Sequence, residues 1–395
     1  MTTYQILMLL SGLVIFSYLF DLIASKTKLP SVLLLLFSGI GLRELVTYFA
    51  LPTFNFITIL PPLGAVGLIL IVFEGALELK YHREKNQIIK RAIFSAFIIL
   101  LTNTFVIAFI LHFLTKADLY LCFANAIPFS IVSSSIAIPS ASAISKEKKE
   151  FVIYESSFSD ILGIILFNFV ITNQNINLSS FVSLSAEIGS IAVIAVISCA
   201  LLLYIMGRIH HHIKFFLILA ILVLIYSLGQ QYHLSSLIIV LAFGLFLNNA
   251  DEIKIPLFKK YFIYPQLSKD LVQLFQLSAE SAFIVRTFFF VIFGFTMHIE
   301  ELRSISILQY GICIIVAIYI IRIAGLKLFA KSNFFPEVIV SPRGLISILL
   351  YYHLPQQFRI LGVETGLMFL VILSTCLIMS FGLLAYSKKD AKADQ

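Results

Sequence analysis

The chain has no tryptophan, only four cysteines and little charge: 12% of its 395 residues are Asp, Glu, Lys or Arg. Each shortage excludes something. Cys122, Cys199, Cys313 and Cys376 stand alone in apolar runs. With no metal or redox spacing among them, they read as small hydrophobic residues. Low charge, with 60% hydrophobic residues and a mean hydropathy of +1.01, excludes a soluble domain, which would expose too much apolar surface to stay dispersed. Strand-length alternation of polar and apolar residues is missing, so a membrane β-barrel is excluded too. No basic residue precedes the first apolar run and no small-residue cleavage site follows it, so a removable signal is not expected.

What the chain has is serial apolar runs, most of them about twenty residues and so able to cross a bilayer. They fall at 4–24, 29–47, 57–79, 92–114, 119–145, 151–173, 179–206, 214–229, 234–249, 271–298, 304–330, 335–354 and 363–386. The expected fold is an all-α membrane protein of about thirteen transmembrane helices. Residues 1–386 form the membrane domain and 387–395 a short cytoplasmic tail, so no large regulatory domain is expected. The longest loop, 250–270, reads as an amphipathic cytoplasmic link.

The net charge of +7 could suggest nucleic acid, but its distribution does not. With the N-terminus outside, Arg43, Lys116, Arg303 and Arg359 lie on the outer side and Arg286, Arg322 and Arg343 within helices. The other 21 of the 28 basic residues face the cytoplasm. That is the positive-inside pattern, and it supports both the helix count and the orientation.

Thirteen helices divide as six, one and six. The halves, about 1–173 and 214–386, start on opposite sides of the membrane and flank a linker helix at 179–206. The fifth helix of each half carries a breaker: "SSSIAIPSAS" at 133–142 holds Pro139, and "SPRGLIS" at 341–347 holds Pro342 and Gly344. Paired broken helices in inverted halves point to a transporter binding site at the membrane midplane.

The intramembrane ionisable candidates are Glu74, Glu78, Glu155, Asp160, Glu280, Arg286, Arg322 and Arg343. Each costs roughly 2.5–3.5 kcal/mol to insert and needs a partner or a wet cavity. The stretch "YESSFSDILGIILFNF", 154–169, holds two of them. Helical geometry puts Glu155 and Ser159 on one face, Ser156 and Asp160 on another, with the carboxylates about 140° apart. Different work follows: one can be tied to an arginine, the other can face a cavity. An aspartate among hydroxyls suits a hard monovalent cation, and a proton competes for the same oxygens. The alternative for Asp160 is a structural helix-to-helix hydrogen bond. Arg322 and Arg343 suit structural partnership better than cation binding. Glu280 and Arg286, six residues apart, do not share a face. The run His210, His211 and His212 reads as a solvated loop, with metal binding the alternative.

In order along the chain, "LPSVLLLLFSGIGLREL" (29–45), "LIVFEGALELK" (70–80), "YESSFSDILGIILF" (154–167), "FFFVIFGFTM" (288–297), "IIRIAGL" (320–326) and "PRGLISI" (342–348) resemble motifs of the monovalent cation:proton antiporters, sodium/proton exchanger branch. The resemblance implies that Asp160 alternates between cation and proton. Ser156, Glu155, Ser159, Ser133 and Ser134 would complete the ion site. It implies a structural ion pair of Glu155 with Arg322, with Arg343 nearby, and a homodimer in which a core domain moves against a dimerisation domain.

Two positions depart from the family pattern. Its "TDP" is Ser133, Ser134 and Ser135 here, and its Asn-Asp pair is Ser159-Asp160. An Asp-Asp pair is absent, which implies electroneutral exchange of one cation for one proton. The expectation is therefore an antiporter of Na+, with Li+ or K+ as alternatives, in a bacterial-type inner membrane. Its partners are cations, protons and membrane lipid, without nucleic acid. No cofactor and no catalytic residue are expected, and Asp160 holds monovalent cations only. The competing readings are a transport-inactive sensor or scaffold, motivated by the lost aspartate, and a passive channel. An intramembrane hydrolase would need a nucleophile–base pair that the helices do not supply.

Overall fold

The computed structural model describes residues 3–27, 30–49, 60–79, 83–141, 144–173, 178–208, 215–231, 236–253, 256–297, 300–329 and 335–393. Among these the chain is helical, without strands. The helices are α1 (Thr3–Thr27), α2 (Ser31–Tyr48), α3 (Leu60–Glu78), α4 (Asn86–Thr115), α5 (Leu119–Ser130), α6 (Ser134–Ser140), α7 (Lys146–Thr172), α8 (Leu178–Arg208), α9 (Phe215–Gln231), α10 (Ser236–Asn248), α11 (Pro256–Phe262), α12 (Leu267–Thr296), α13 (Ile305–Phe329), α14 (Leu345–His353) and α15 (Thr365–Ala393). Every predicted run contains helix. The run at 119–145 is split into α5 and α6, and α11 is the short link helix. Eight helical segments among the described residues are long and apolar enough to cross a bilayer. The protein is an integral membrane protein.

Two local expectations change. The segment 335–354 is helical only over Leu345–His353; Phe335–Ile339 form turns and Val340–Gly344 are non-helical. Pro336 and Pro342 cannot donate to a helix, and Gly344 favours none. In the first broken segment the interruption is at Ile131–Ser133, while Pro139 sits inside α6. Ile131 and Ser133 are extended, with φ/ψ of −77°/131° and −78°/115°.

The chain packs as two compact units. The smaller comprises Pro62–Lys85 and Thr172–Val285. In it Phe73 packs against Phe243, and the Asn248 and Asn249 amides donate to the Leu77 and Leu79 carbonyls at 2.7 and 3.1 Å, closing the end of α3. The larger comprises Met1–Pro61, Asn86–Ile171 and Arg286–Gln395, and holds both broken segments. There α2 and the C-terminal part of α12 approach backbone to backbone. A Cβ on Gly39 would strike the Val291 carbonyl, and one on Gly294 the Leu36 carbonyl. Only glycine permits that approach. α4 packs on α5 and α13, and α7 is buried on both of the faces that carry its carboxylates, at Glu155 and Ser159 and at Ser156 and Asp160.

Candidate functional site: two breaks, one helix and the arginines between them

An unwound segment inside a membrane leaves amides and carbonyls that water cannot satisfy, so other elements must. At the first break, three amides find three acceptors. Val132 N donates to Ser159 Oγ at 3.0 Å. Ser133 N donates to the Pro342 carbonyl at 2.9 Å. Ser134 N donates to Asp160 Oδ2 at 3.1 Å. Thus α7 provides two acceptors and the second break provides the third, and the breaks meet. Gly344 makes the meeting possible, because a Cβ there would lie 2.6 Å from Ser133 Oγ and 2.9 Å from its Cβ.

The carbonyls are satisfied by arginines. Arg343 is fully buried. Its Nε donates to the Phe129 carbonyl at 2.8 Å, Nη2 to the Ser130 carbonyl at 3.3 Å, and Nη1 to the Ser341 carbonyl at 2.8 Å and to Ser341 Oγ. One side chain thereby holds the end of α5 and the start of the second break. Its backbone amide donates to Thr375 Oγ1 of α15 at 3.1 Å. The sequence reading pairs Glu155 with Arg322 and places Arg343 nearby; Arg343's own hydrogen bonds go to backbone and serine. Carbonyls freed at two interruptions compete for the same guanidinium.

Arg322 of α13 does both jobs. Nη1 and Nη2 form a bidentate pair with Glu155 Oε1 and Oε2 at 2.9 and 2.8 Å. Nε and Nη2 also donate to the Glu337 carbonyl at 3.1 and 2.8 Å, and Nη2 to the Val340 carbonyl at 2.9 Å. Arg322 and Glu155 are 0% and 1% exposed, so neither charge could persist here without the other. The Glu337 side chain pairs with Lys148 at 3.1 Å. Sequence reasoning missed that pair, because Glu337 stands at the very start of its apolar run rather than deep in it. It also missed Ser130, Ser341 and Thr375; of these only Ser341, next to Pro342-Arg343-Gly344, carried a signal in the sequence.

Asp160 contrasts with Glu155. It is buried, Oδ2 holds the Ser134 amide, and Oδ1 has no hydrogen-bond partner among the described residues. Ser134 gives it a backbone amide, Ser159 beside it on α7 takes the Val132 amide, and Ser133 stands between those two amides at the break. The Ser133 hydroxyl lies 3.0 Å from that of Ser135. Ser156 does not join them: its Oγ donates to the Val152 and Ile153 carbonyls of its own helix at 2.7 and 3.3 Å. Among the other intramembrane candidates, Glu74 and Arg286 are half-buried and Glu280 is exposed. Arg286 Nη1 donates to the Ser135 carbonyl at 3.0 Å. The Glu78 side chain and His210, His211 and His212 lie outside what is described.

A buried carboxylate with one oxygen open beside a backbone break can hold a small cation or a proton. The fold is shared with solved structures. The sodium proton antiporter MjNhaP1 from Methanocaldococcus jannaschii, solved at pH 8, superposes with a TM-score of 0.75 at 19% identity, covering 96% of this chain and 97% of that one. An electron-microscopy structure of the same antiporter gives 0.69 at 19% identity, covering 96% of each. No curated protein shows a significant sequence match. The transmembrane sodium/hydrogen exchanger profile matches residues 11–388, nearly the whole length, and that match assigns the chain: it belongs to the sodium/hydrogen exchanger family, transporters that exchange cations for protons.

Proposed function

We propose that this exchanger moves Na+, with Li+ or K+ as alternatives, against a proton at Asp160, one for one. The observation that carries the reading is the half-used carboxylate. Asp160 Oδ1 is buried without a hydrogen-bond partner among the described residues, five residues from a Glu155 whose two oxygens are both held by Arg322. A carboxylate in that state is neutralised by whichever small cation or proton reaches it, and the two exclude each other. In this reading Ser133, Ser134 and Ser159 supply the further oxygen ligands; Glu155 and Arg322 hold α7 in place, and Arg343 holds the breaks.

Exchange at a single carboxylate moves no net charge if cation and proton alternate, so transport is electroneutral. Access alternates between the two sides by movement of one part of the membrane domain against another. The broken segments, fifth in each of two inverted six-helix halves at 1–173 and 214–386, support this. The 179–206 helix links the halves. The protein works as a homodimer in a bacterial-type inner membrane, in contact with lipid. The bias of basic residues supports an N-terminus outside and a cytoplasmic C-terminus.

The test is proton flux in proteoliposomes on addition of Na+, Li+ or K+, for wild type and Asp160→Asn. Cation-dependent flux in wild type that disappears in the variant is the expected result, and the active salts name the ion. Folded wild-type protein without flux for any of the three overturns the reading and favours a sensor or scaffold. A current that scales with turnover overturns electroneutrality.

A further inference from the structure

Pro139 stands inside α6 and has no amide hydrogen. In a helix, that amide would bond the carbonyl four residues earlier, which here is Ser135. The Ser135 carbonyl is therefore left without that helical partner. Arg286 takes it: Nη1 donates at 3.0 Å from α12. The preceding residue, Ser134, gives its backbone amide to Asp160 Oδ2. One peptide unit thus separates the group that Arg286 holds from the group that holds the exchange carboxylate.

We propose that Arg286 is a positioning residue for cation exchange: by holding the carbonyl that Pro139 releases, it keeps the Ser134 amide on Asp160 and so sets how tightly the cation binds. The proposal rests on the reading of Asp160 as the exchange carboxylate. It gives the proline and the arginine one joint role. Pro139 makes a carbonyl available at the start of α6, and Arg286, a costly residue in the middle of an apolar helix, attaches α12 to it. A guanidinium bond to a carbonyl is charge-assisted, so losing it matters more than losing a neutral one.

The experiment is a double-mutant cycle on the full chain in proteoliposomes. Arg286→Gln is expected to raise the apparent KM for the cation about tenfold, the worth of one charge-assisted bond, with kcat little changed. Arg286→Lys should recover most of the affinity. Pro139→Ala restores an amide for the Ser135 carbonyl, so in that background Arg286→Gln should change KM by less than about twofold. An equal effect of Arg286→Gln in both backgrounds overturns the proposal, as does a loss of thermal stability with KM unchanged.

A second measurement does not need transport. Amide hydrogen exchange over 134–141 should rise in Arg286→Gln and stay low in the double variant. Unchanged exchange in Arg286→Gln also overturns the proposal. If wild type carries no flux, the proposed exchange reaction fails, while hydrogen exchange still decides whether Arg286 holds α6.

Discussion

Glu155 and Asp160 lie on the same helix, yet they are opposites. Glu155 has both oxygens in a bidentate pair, and the arginine that holds it also holds two carbonyls of the second break. Asp160 has one backbone amide on one oxygen and, among the described residues, no hydrogen-bond partner on the other. The lesson concerns availability rather than burial, since both are buried. A fully paired charge is a structural joint, which is hard to remove and useless as a carrier. A half-paired one can release what it holds. Burial raises the stakes for both, because a dry surrounding strengthens every pairing and penalises every omission.

The comparison breaks first at Asp160. Asp160→Asn should reduce cation-dependent proton flux to that of empty liposomes while the protein stays monodisperse and keeps its melting temperature to within a few degrees. A large loss of stability would mean that Asp160 is a joint like Glu155. The next largest effect should be on folding. Arg322→Ala strands a buried carboxylate and two carbonyls, so a loss of about 3–5 kcal/mol is expected, read as a collapse of thermal stability in detergent. Glu155→Gln should cost less, because the guanidinium keeps its carbonyls. The reverse order would place the main function of Arg322 in the ion pair alone.

Smaller changes sharpen the contrast. Gly344→Ala would push a methyl into Ser133 where the breaks meet. A destabilisation of about 1–3 kcal/mol is expected, with loss of exchange. Ser159→Ala removes the acceptor of a buried amide and should cost about 1–3 kcal/mol. Ser156→Ala removes only a bond to its own helix and should stay within about 0.5 kcal/mol. Thermal melts of the pair separate the serine that supports the break from the one that does not. Acidification gives the subtlest signal. Because protons and cations compete for one carboxylate, lowering pH should raise the apparent KM for the cation and leave the saturating rate at a given proton gradient nearly unchanged. A fall in the saturating rate with constant KM would point to a separate titrating group.

Much of the helical layout was legible, since hydropathy is a local property. A window of about twenty apolar residues reports a span whatever lies beside it. The separation of Glu155 from Asp160 was legible too, as it follows from the helical period alone. Less legible was the break in the first crossing segment. Pro139 draws attention, but the chain unwinds at Ile131–Ser133. The cause is non-local: amides there find better acceptors on α7 and at Pro342 than a helix would offer. Arg343 illustrates the same limit. Its charge suggested a structural partnership without naming the partners, and a guanidinium fork beside unwound backbone satisfies several carbonyls at once.

By itself, the sequence determined that this protein lies in a membrane as helices, that two of its segments carry helix breakers, and that an apolar helix carries two carboxylates on different faces. Composition, period and the geometry of proline set those outcomes residue by residue. Only the tertiary structure decided which arginine meets which oxygen. Glu155 and Arg322 are 167 residues apart, and Arg343 reaches 214 residues back to Phe129. Hydrogen bonds of unwound backbone in a dry interior are assigned by competition among groups brought together in space, and no local pattern in the chain encodes the winner.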